Sequence, residues 1–125
     1  MKGYIAIIST IIISILLMTI TLTVSSTGFF SRANILDAEF KERSFALAEA
    51  CVETALLKLS WDRSYNGDEN ISVGEYQCFI LPIETVSSQK IIKTKAIFQK
   101  ATTNLKITAQ ESDLSIIFWE EVAKF

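Results

Sequence analysis

The feature that most constrains this chain is an uncharged stretch near its amino terminus. No residue from Gly3 to Ser31 carries a charge. Within it, Tyr4 to Ser26 is dominated by isoleucine, leucine, serine and threonine. As a helix this segment would measure roughly 35 Å, slightly more than a ~30 Å hydrocarbon core. Serine and threonine hydroxyls can bond to a carbonyl one turn earlier, so they are tolerated in lipid. The stretch therefore predicts a transmembrane helix.

A cleaved secretory signal is the alternative for this stretch. Its apolar run is longer than the usual ~7–15 residues, and Ser25 to Gly28 is only the nearest match to a cleavage site. The positive-inside rule does not settle the orientation of the helix. Lys2 lies on one side, whereas Arg32 and Lys41 follow on the other, and this count slightly favours a cytoplasmic location for the remainder.

Composition excludes several functional classes for the rest of the chain. There is no histidine, which removes histidine-based catalytic triads and most metal sites. The four glycines do not form a phosphate-binding pattern, and a net charge of −2 argues against nucleic acid as a partner. The adjacent acids Glu120 and Glu121 have no accompanying base or metal ligand. We therefore expect no enzyme activity, no cofactor and no metal site.

The helical pattern continues beyond the uncharged stretch. No proline interrupts it before Ser60, and Gly28 is the only glycine between Tyr4 and Ser60. We expect one helix of about 50 residues, with a membrane half over 4–27 and an amphipathic half over 29–60. Two helices joined at Gly28 are the alternative. The predicted apolar side consists of Leu36, Phe40, Leu47, Ala48, Cys51, Val52, Ala55, Leu56 and Leu59.

Strand-like alternation replaces the helical pattern after a turn-rich segment. The clearest alternating segments are 76–81, 91–99 and 104–110. Ile71 and Val73 indicate a short further strand, and the short connections are typical of an antiparallel meander. We expect an α+β fold in which three or four antiparallel strands within 70–112 pack on the amphipathic half of the helix.

The carboxyl-terminal segment, 113–125, is unusually apolar for a tail. We expect it to pack across the sheet or to cover one edge. An exposed aromatic patch that binds a partner is the alternative. Together, residues 28–125 are expected to form one small domain.

Two cysteines lie one in each predicted layer. Cys51 falls on the apolar side of the helix, and Cys78 shares strand parity with Ile80, so both can face the same core. In an oxidising compartment a disulfide bond between them would stabilise the fold by roughly 3–4 kcal/mol. Two buried free thiols are the alternative.

The two layers also differ in charge. Acidic residues cluster on the predicted helix, and five lysines are expected to cluster on one face of the predicted sheet: Lys90, Lys93, Lys95, Lys100 and Lys106. We hypothesise that Glu49 and Glu53 of one subunit meet Lys93 and Lys95 of another. Solvated faces without a partner are the alternative.

This combination of segments resembles a type IV pilin or pseudopilin. The resemblance rests on the short leader Met1-Lys2-Gly3 (1–3), the uncharged run directly after it, the long helix, the sheet with its cysteine pair, and the segment ALAEACVETALLKL, which is similar to the helix of minor pilins. It implies cleavage after Gly3 by a prepilin peptidase, with Tyr4 as the N-methylated first residue. It also implies that apolar helices bundle in a filament core. The helix residues expected to contact neighbours there are Ile8, Ile12, Ile15 and Leu16.

Two positions depart from the family. Most members carry a glutamate at the fifth mature position, where this chain has Ile8, and Tyr4 stands where phenylalanine is common. A charge in an apolar bundle is costly unless it is paired. Family members without this glutamate tend to be minor subunits, including those at the filament tip. The resemblance therefore implies a structural minor subunit of a type IV pilus, type II secretion or DNA-uptake filament.

The resemblance also implies partners and a location. The partners would be other pilin subunits, the prepilin peptidase, the inner-membrane assembly platform and, before assembly, membrane lipid. The chain would cross the cytoplasmic membrane once with its amino terminus inside, and would then join a periplasmic or extracellular filament. The alternative is a single-pass membrane protein whose outer domain binds a partner without polymerising.

Overall fold

One long helix and an antiparallel sheet account for the fold of residues 2–125, which the computed structural model describes. The helix is α1 (Lys2–Trp61), and the strands are β1 (Glu69–Val73), β2 (Tyr76–Ile80), β3 (Glu84–Val86), β4 (Gln89–Phe98), β5 (Ala101–Gln110) and β6 (Ile116–Val122). Hydrogen-bonded neighbours follow the order β1-β2-β4-β5-β6, and β3 also pairs with β4. The predicted α+β class is confirmed, although the sheet has six strands rather than three or four.

Helix α1 is continuous, so the alternative of two helices joined at Gly28 is wrong. A single glycine lowers helix stability by only about 1 kcal/mol relative to alanine. The chain divides into two compact units, one ending at Leu36 and the other beginning at Asp37. The predicted boundary between residues 27 and 28 thus marks a change in composition, whereas the first buried residue of the helix is Ser44.

The first unit exposes apolar side chains on all sides of the helix. Even Ile8, the least exposed of its large apolar residues, has an exposed fraction of 39%. By length and composition, α1 is suited to cross a membrane. Its hydroxyls bond locally as predicted: Ser14 Oγ donates to the Thr10 carbonyl at 2.8 Å, and Thr27 Oγ1 donates to the Thr23 carbonyl at 2.8 Å. These polar groups therefore need no external partner.

The second unit forms its core between α1 and the inner face of the sheet. The buried apolar residues in contact are Leu47, Ala48, Cys51, Val52, Ala55, Leu59, Cys78, Ile80, Ile92, Ala96, Leu105 and Ile107. The predicted apolar side of the helix is therefore confirmed from Leu47 to Leu59, with Leu56 only half-buried. Leu36, which belongs to the first unit, is exposed, so the prediction is wrong for this residue.

A polar seam also joins α1 to the sheet. Thr94 Oγ1 donates to the carbonyl of Ala48 at 3.1 Å, and the hydroxyls of Ser44 and Thr103 lie 2.7 Å apart. Lys41 Nζ donates to the Thr102 carbonyl at 2.8 Å. Because each of these bonds requires one relative position of helix and strands, the seam fixes the register that apolar packing alone leaves loose.

The carboxyl-terminal segment covers an edge of the sheet, which is one of the two arrangements that the sequence predicted. It does so as a full strand, β6, paired with β5. A register shift between Thr108 and Ala109 places an extra residue, Ile117, in β6. The connection between β4 and β5 is shorter than the sequence predicted, because β5 already begins at Ala101.

Gly67 is the position at which backbone geometry most restricts the side chain. Its φ is +72°, and a Cβ there would lie 2.5 Å from the carbonyl oxygen of Leu81. Gly74 has a similar φ of +64°, but a Cβ there would meet open space. A side chain would meet backbone strain at both positions, but steric overlap with Leu81 only at Gly67.

We expect Gly67→Ala to destabilise the second unit more than Gly74→Ala. The left-handed backbone costs each alanine about 1–2 kcal/mol, and overlap with Leu81 adds about 1–3 kcal/mol only at position 67. The free energy of unfolding is measured with urea on the full-length protein in detergent, followed by tryptophan fluorescence. Equal losses in the two variants would contradict the steric argument.

Candidate functional site

The apolar part of α1 is the first candidate surface. Ile8, Ile12 and Ile15 are spaced by four and three residues, so they lie along one side of the helix, with Leu16 beside them. All four side chains are exposed. The surface can contact lipid or other apolar helices, and it offers them no charge. Gly3 lies in the first turn of α1, and cleavage after it stays a prediction.

Cys51 and Cys78 form a disulfide bond between α1 and β2, with their Cα atoms 6.1 Å apart. The exposed fractions of the two residues are 0% and 2%, so the bond lies inside the core. The sequence-based expectation of a helix-to-sheet bridge therefore agrees with the structure, and the alternative of two free thiols does not. Strand parity was the signal that located Cys78 correctly.

The four residues proposed for contacts between subunits have different environments. Glu53 and Lys95 are exposed, whereas Glu49 is half-buried. Lys93 Nζ lies 2.7 Å from a carboxylate oxygen of Glu84 within the same chain. Of the four, Lys93 is thus the one already paired, because β3 lies beside β4.

The lysines of the sheet do not share one face. Lys90 lies on the inner face and is buried, with its Nζ 3.4 Å from the Arg63 carbonyl and 3.8 Å from Glu111. Lys93, Lys95 and Lys106 lie on the outer face, because Lys93 pairs directly opposite Lys106 in the register of β4 and β5. The expected single lysine cluster is therefore wrong for Lys90. Its even parity with the buried Ile92 was the signal for the opposite face.

Glu120 and Glu121 lie on opposite faces of β6. Glu120 forms an ion pair with Lys106 at 3.4 Å on the outer face. Glu121 forms an ion pair with Lys41 of α1 on the inner face. Adjacent residues of a strand point in opposite directions, so these two acids do not form a carboxylate pair. Each of them instead ties β6 to a neighbouring element.

A cluster that was not predicted from the sequence closes the end of α1. The Glu69 carboxylate accepts hydrogen bonds from Lys58 and from the hydroxyl of Tyr65. These two bonds hold the pKa of Glu69 below its usual value, and the bond from Lys58 has the larger effect. Burial raises the pKa of the Tyr65 hydroxyl, and its bond to Glu69 raises it further. The cluster joins the last turns of α1 to β1 and is structural in character.

Strand β6 forms a free edge of the sheet and carries exposed apolar residues. The exposed fractions of Ile116, Ile117 and Phe118 are 48%, 50% and 56%. Trp119, by contrast, packs partly against the core. Of the aromatic residues in this segment, Phe118 and Phe125 are exposed, and binding of a partner by an aromatic patch stays a prediction. Bulges such as that at Ile117 are one device by which edge strands avoid continuous pairing.

Neither a metal centre nor a known relative gives this chain a function directly. Within residues 2–125, no three histidine, cysteine or acidic side chains are placed to hold a metal ion. The chain matches no protein-family model, and no curated protein or solved structure is significantly similar to it. The surfaces described above are the features from which a function can be inferred.

Removing the disulfide bond is expected to destabilise the second unit by roughly 3–4 kcal/mol. The double variant Cys51→Ala/Cys78→Ala loses the covalent link and leaves small cavities in the core. Urea unfolding of the full-length protein in detergent measures the loss. Wild-type protein unfolded with a reductant is the matched control, because it retains both sulfur atoms. A stability unchanged by the reductant would contradict a stabilising role.

The pKa of Glu69 predicts a dependence of stability on acid pH. Because its folded pKa lies below the usual value of 4.5, its stabilisation is present above about pH 4.5 and is lost as the pH falls through the folded pKa. We expect Glu69→Gln to reduce the loss of unfolding free energy that denaturation curves show between about pH 6 and pH 3, where carboxylates titrate. Glu75→Gln, in the exposed turn after β1, should leave the slope unchanged. Identical slopes for wild type and Glu69→Gln would contradict the prediction.

Proposed function

We propose that this chain is a structural minor pilin or pseudopilin subunit, without catalytic activity. The observation that carries the proposal is a single helix, α1, whose first part is apolar and exposed while its second part packs on an antiparallel sheet. A subunit of a helical filament needs both features. The apolar part joins a shared bundle, and the folded part forms the outside.

The energy of the exposed apolar surface supports a bundle or a bilayer around the first unit. Burying one isoleucine or leucine side chain is worth about 1.5–3 kcal/mol. The first unit exposes more than ten such residues. Leaving them in water would therefore oppose the soluble state by tens of kcal/mol, on the order of the stability of several domains. Lipid before assembly and sister helices after assembly are the proposed environments.

The disulfide bond supports an outward orientation for the second unit. Such bonds persist in the periplasm or outside the cell and are rare in the cytosol. A core bond between Cys51 and Cys78 therefore favours a head outside the cytoplasmic membrane and an amino terminus inside. In the proposed orientation this argument outweighs the lysine and arginine count, which differs by few residues.

Ile8 supports a minor role rather than that of the main subunit. Between Tyr4 and Leu36 the helix offers no carboxylate that could pair with the amino terminus of a neighbour in the bundle. In the bundle, this part of the helix would then associate with its neighbours through shape and apolar contact. The proposed partners are other pilin subunits, the prepilin peptidase and the assembly platform of a type IV pilus, type II secretion or DNA-uptake system.

A second candidate function is favoured by the exposed apolar residues of β6. In it, the chain is a single-pass membrane protein whose head binds a partner through Ile116, Ile117 and Phe118, and no filament forms. Contiguous exposed apolar patches commonly mark interaction sites. The two candidates differ in what happens at the amino terminus.

Mass spectrometry of the protein from its native host membranes tests the proposal. We expect a chain that begins at Tyr4 and carries an N-methyl group. Gly3→Val should block removal of the leader, and the full-length mass should persist. Gly28→Val is the matched control, because Gly28 has open space around it and lies away from the leader. An intact Met1 in the wild-type protein would contradict the proposal and favour the single-pass alternative.

A further inference from the structure

Within residues 37–125, one face of the sheet is covered by no other element. Helix α1 packs on the inner face only, and the outer face still carries apolar side chains. Those on the outer face are Phe79, Val86, Ile91, Ile97, Phe118 and Val122. The exposed fraction of Ile97 is 53%. A sheet face of this composition is typical of one that receives a second layer.

The same face carries an excess of positive charge. A groove of about 300 Å³ is lined by Lys93, Lys106 and Lys124 around the apolar Ile91 and Val122. Glu84 and Glu120 neutralise Lys93 and Lys106. In residues 2–125, Lys95 and Lys124 form no ion pair, so the outer face keeps a net positive charge.

The outward side of α1 has the opposite character. Glu42, Ala46, Glu49, Glu53 and Leu57 follow one another at spacings of three or four residues, and we call this row the acidic stripe. It lies opposite the buried side formed by Leu47 to Leu59. Within residues 2–125, its three glutamates form no ion pair. The acidic stripe therefore combines carboxylates that have no ion-pair partner with one small residue, Ala46, and one apolar residue, Leu57.

We propose that the outer sheet face of one copy binds the acidic stripe of a second copy, with α1 of the second copy running antiparallel to β4 of the first. The inference rests on the proposed function, because a filament places subunits side by side in one orientation, and it applies where two copies of this chain are neighbours. Charge complementarity selects the occupant: the positive outer face and the negative stripe belong to the same chain. The contact joins two different surfaces, so it repeats from copy to copy without closing.

The spacing of the two rows favours this register. Positions four apart on a helix are separated by roughly 6 Å along its axis, and positions two apart on a strand by roughly 7 Å. Placing Glu49 against Lys95 therefore brings Glu53 near Lys93. The ends of the contact are then apolar, with Leu57 near Ile91 and Ala46 near Ile97.

The direction of the helix follows from the fold of each copy. Within one second unit, α1 runs antiparallel to β4, because the Phe40 and Phe98 rings lie 5.8 Å apart at one end and Lys90 lies near the Arg63 carbonyl at the other. If all copies point the same way, as in a filament, the helix of one copy also crosses β4 of the next in the antiparallel sense. The proposed register therefore requires no inversion of either subunit.

Cysteine cross-linking of full-length protein in membranes tests the contact. Two differently tagged copies carry Ala46→Cys and Ile97→Cys, and a mild oxidant is added; the buried native disulfide stays in place. We expect a mixed-tag dimer. In the matched control, Val86→Cys replaces Ile97→Cys. Val86 is exposed on the same face, but it pairs with Gln89, which lies roughly 27 Å from Ile97 along β4. Equal dimer yields with Ile97→Cys and Val86→Cys would overturn the register.

Charge reversal tests the ion pairs with the same readout. Glu49→Lys or Lys95→Glu alone is expected to lower the yield of mixed-tag dimer by about tenfold. When every copy carries both Glu49→Lys and Lys95→Glu, the ion pair forms again with reversed signs, and the yield of mixed-tag dimer should recover. Glu75→Lys with Lys100→Glu, both in exposed turns, is the matched control and should change nothing. A double variant no better than either single one would overturn the proposal.

The failure of this inference is distinguishable from that of the proposed function. If protein that begins at Tyr4 is recovered in filaments sheared from cells, but no Ala46–Ile97 cross-link forms, the docking of copies is wrong and the filament role stands. If the leader stays attached and no filament contains the chain, the proposed function itself fails. A cross-link formed only with a different filament subunit overturns the choice of a second copy as occupant.

Discussion

The packing of α1 against the inner face of the sheet is the interaction on which the second unit depends. The sheet alone has two faces in water, and the helix alone would expose the row from Leu47 to Leu59. Neither element is expected to be stable without the other, because a helix or a sheet needs a second layer to bury its apolar side. The Ser44–Thr103 contact and the Cys51–Cys78 bond then select one arrangement of the two layers.

One helix serves two environments along its length. Its first part has apolar residues on all sides, and its hydroxyls bond to its own backbone, so it suits a medium without water. Its second part has one apolar side and one acidic side, so it suits the boundary between a protein core and water. Continuity of α1 joins these environments without a loop. The proposed filament role follows from this change along a single element.

Local periodicity explains what could be predicted from the sequence and what could not. Residues 91–99 and 104–110 were predicted from their alternation, and apolar residues on one side of it, such as Ile92 and Leu105, are buried against the helix. Strand β6 was missed because Ile116, Ile117 and Phe118 are consecutive apolar residues, and its bulge breaks the alternation. Among the candidate site residues, the cysteine pair could be predicted, because Cys78 has the same strand parity as the buried Ile80. The ion pair of Lys93 with Glu84 depends on how β3 aligns with β4, and no local pattern specifies that register.

The covalent link between α1 and β2 also determines how the head would respond to mechanical load. A force applied along α1 reaches Cys51 before it reaches the last turns of the helix or strand β1. The bond passes that force directly to Cys78, so the intervening chain is bypassed and cannot be drawn out while the bond is intact. Extension would have to begin in the strands beyond Cys78, where hydrogen bonds between β4 and β5 lie in the path. The loop that includes Gly67 and the Tyr65–Glu69 contact therefore keeps its shape under tension.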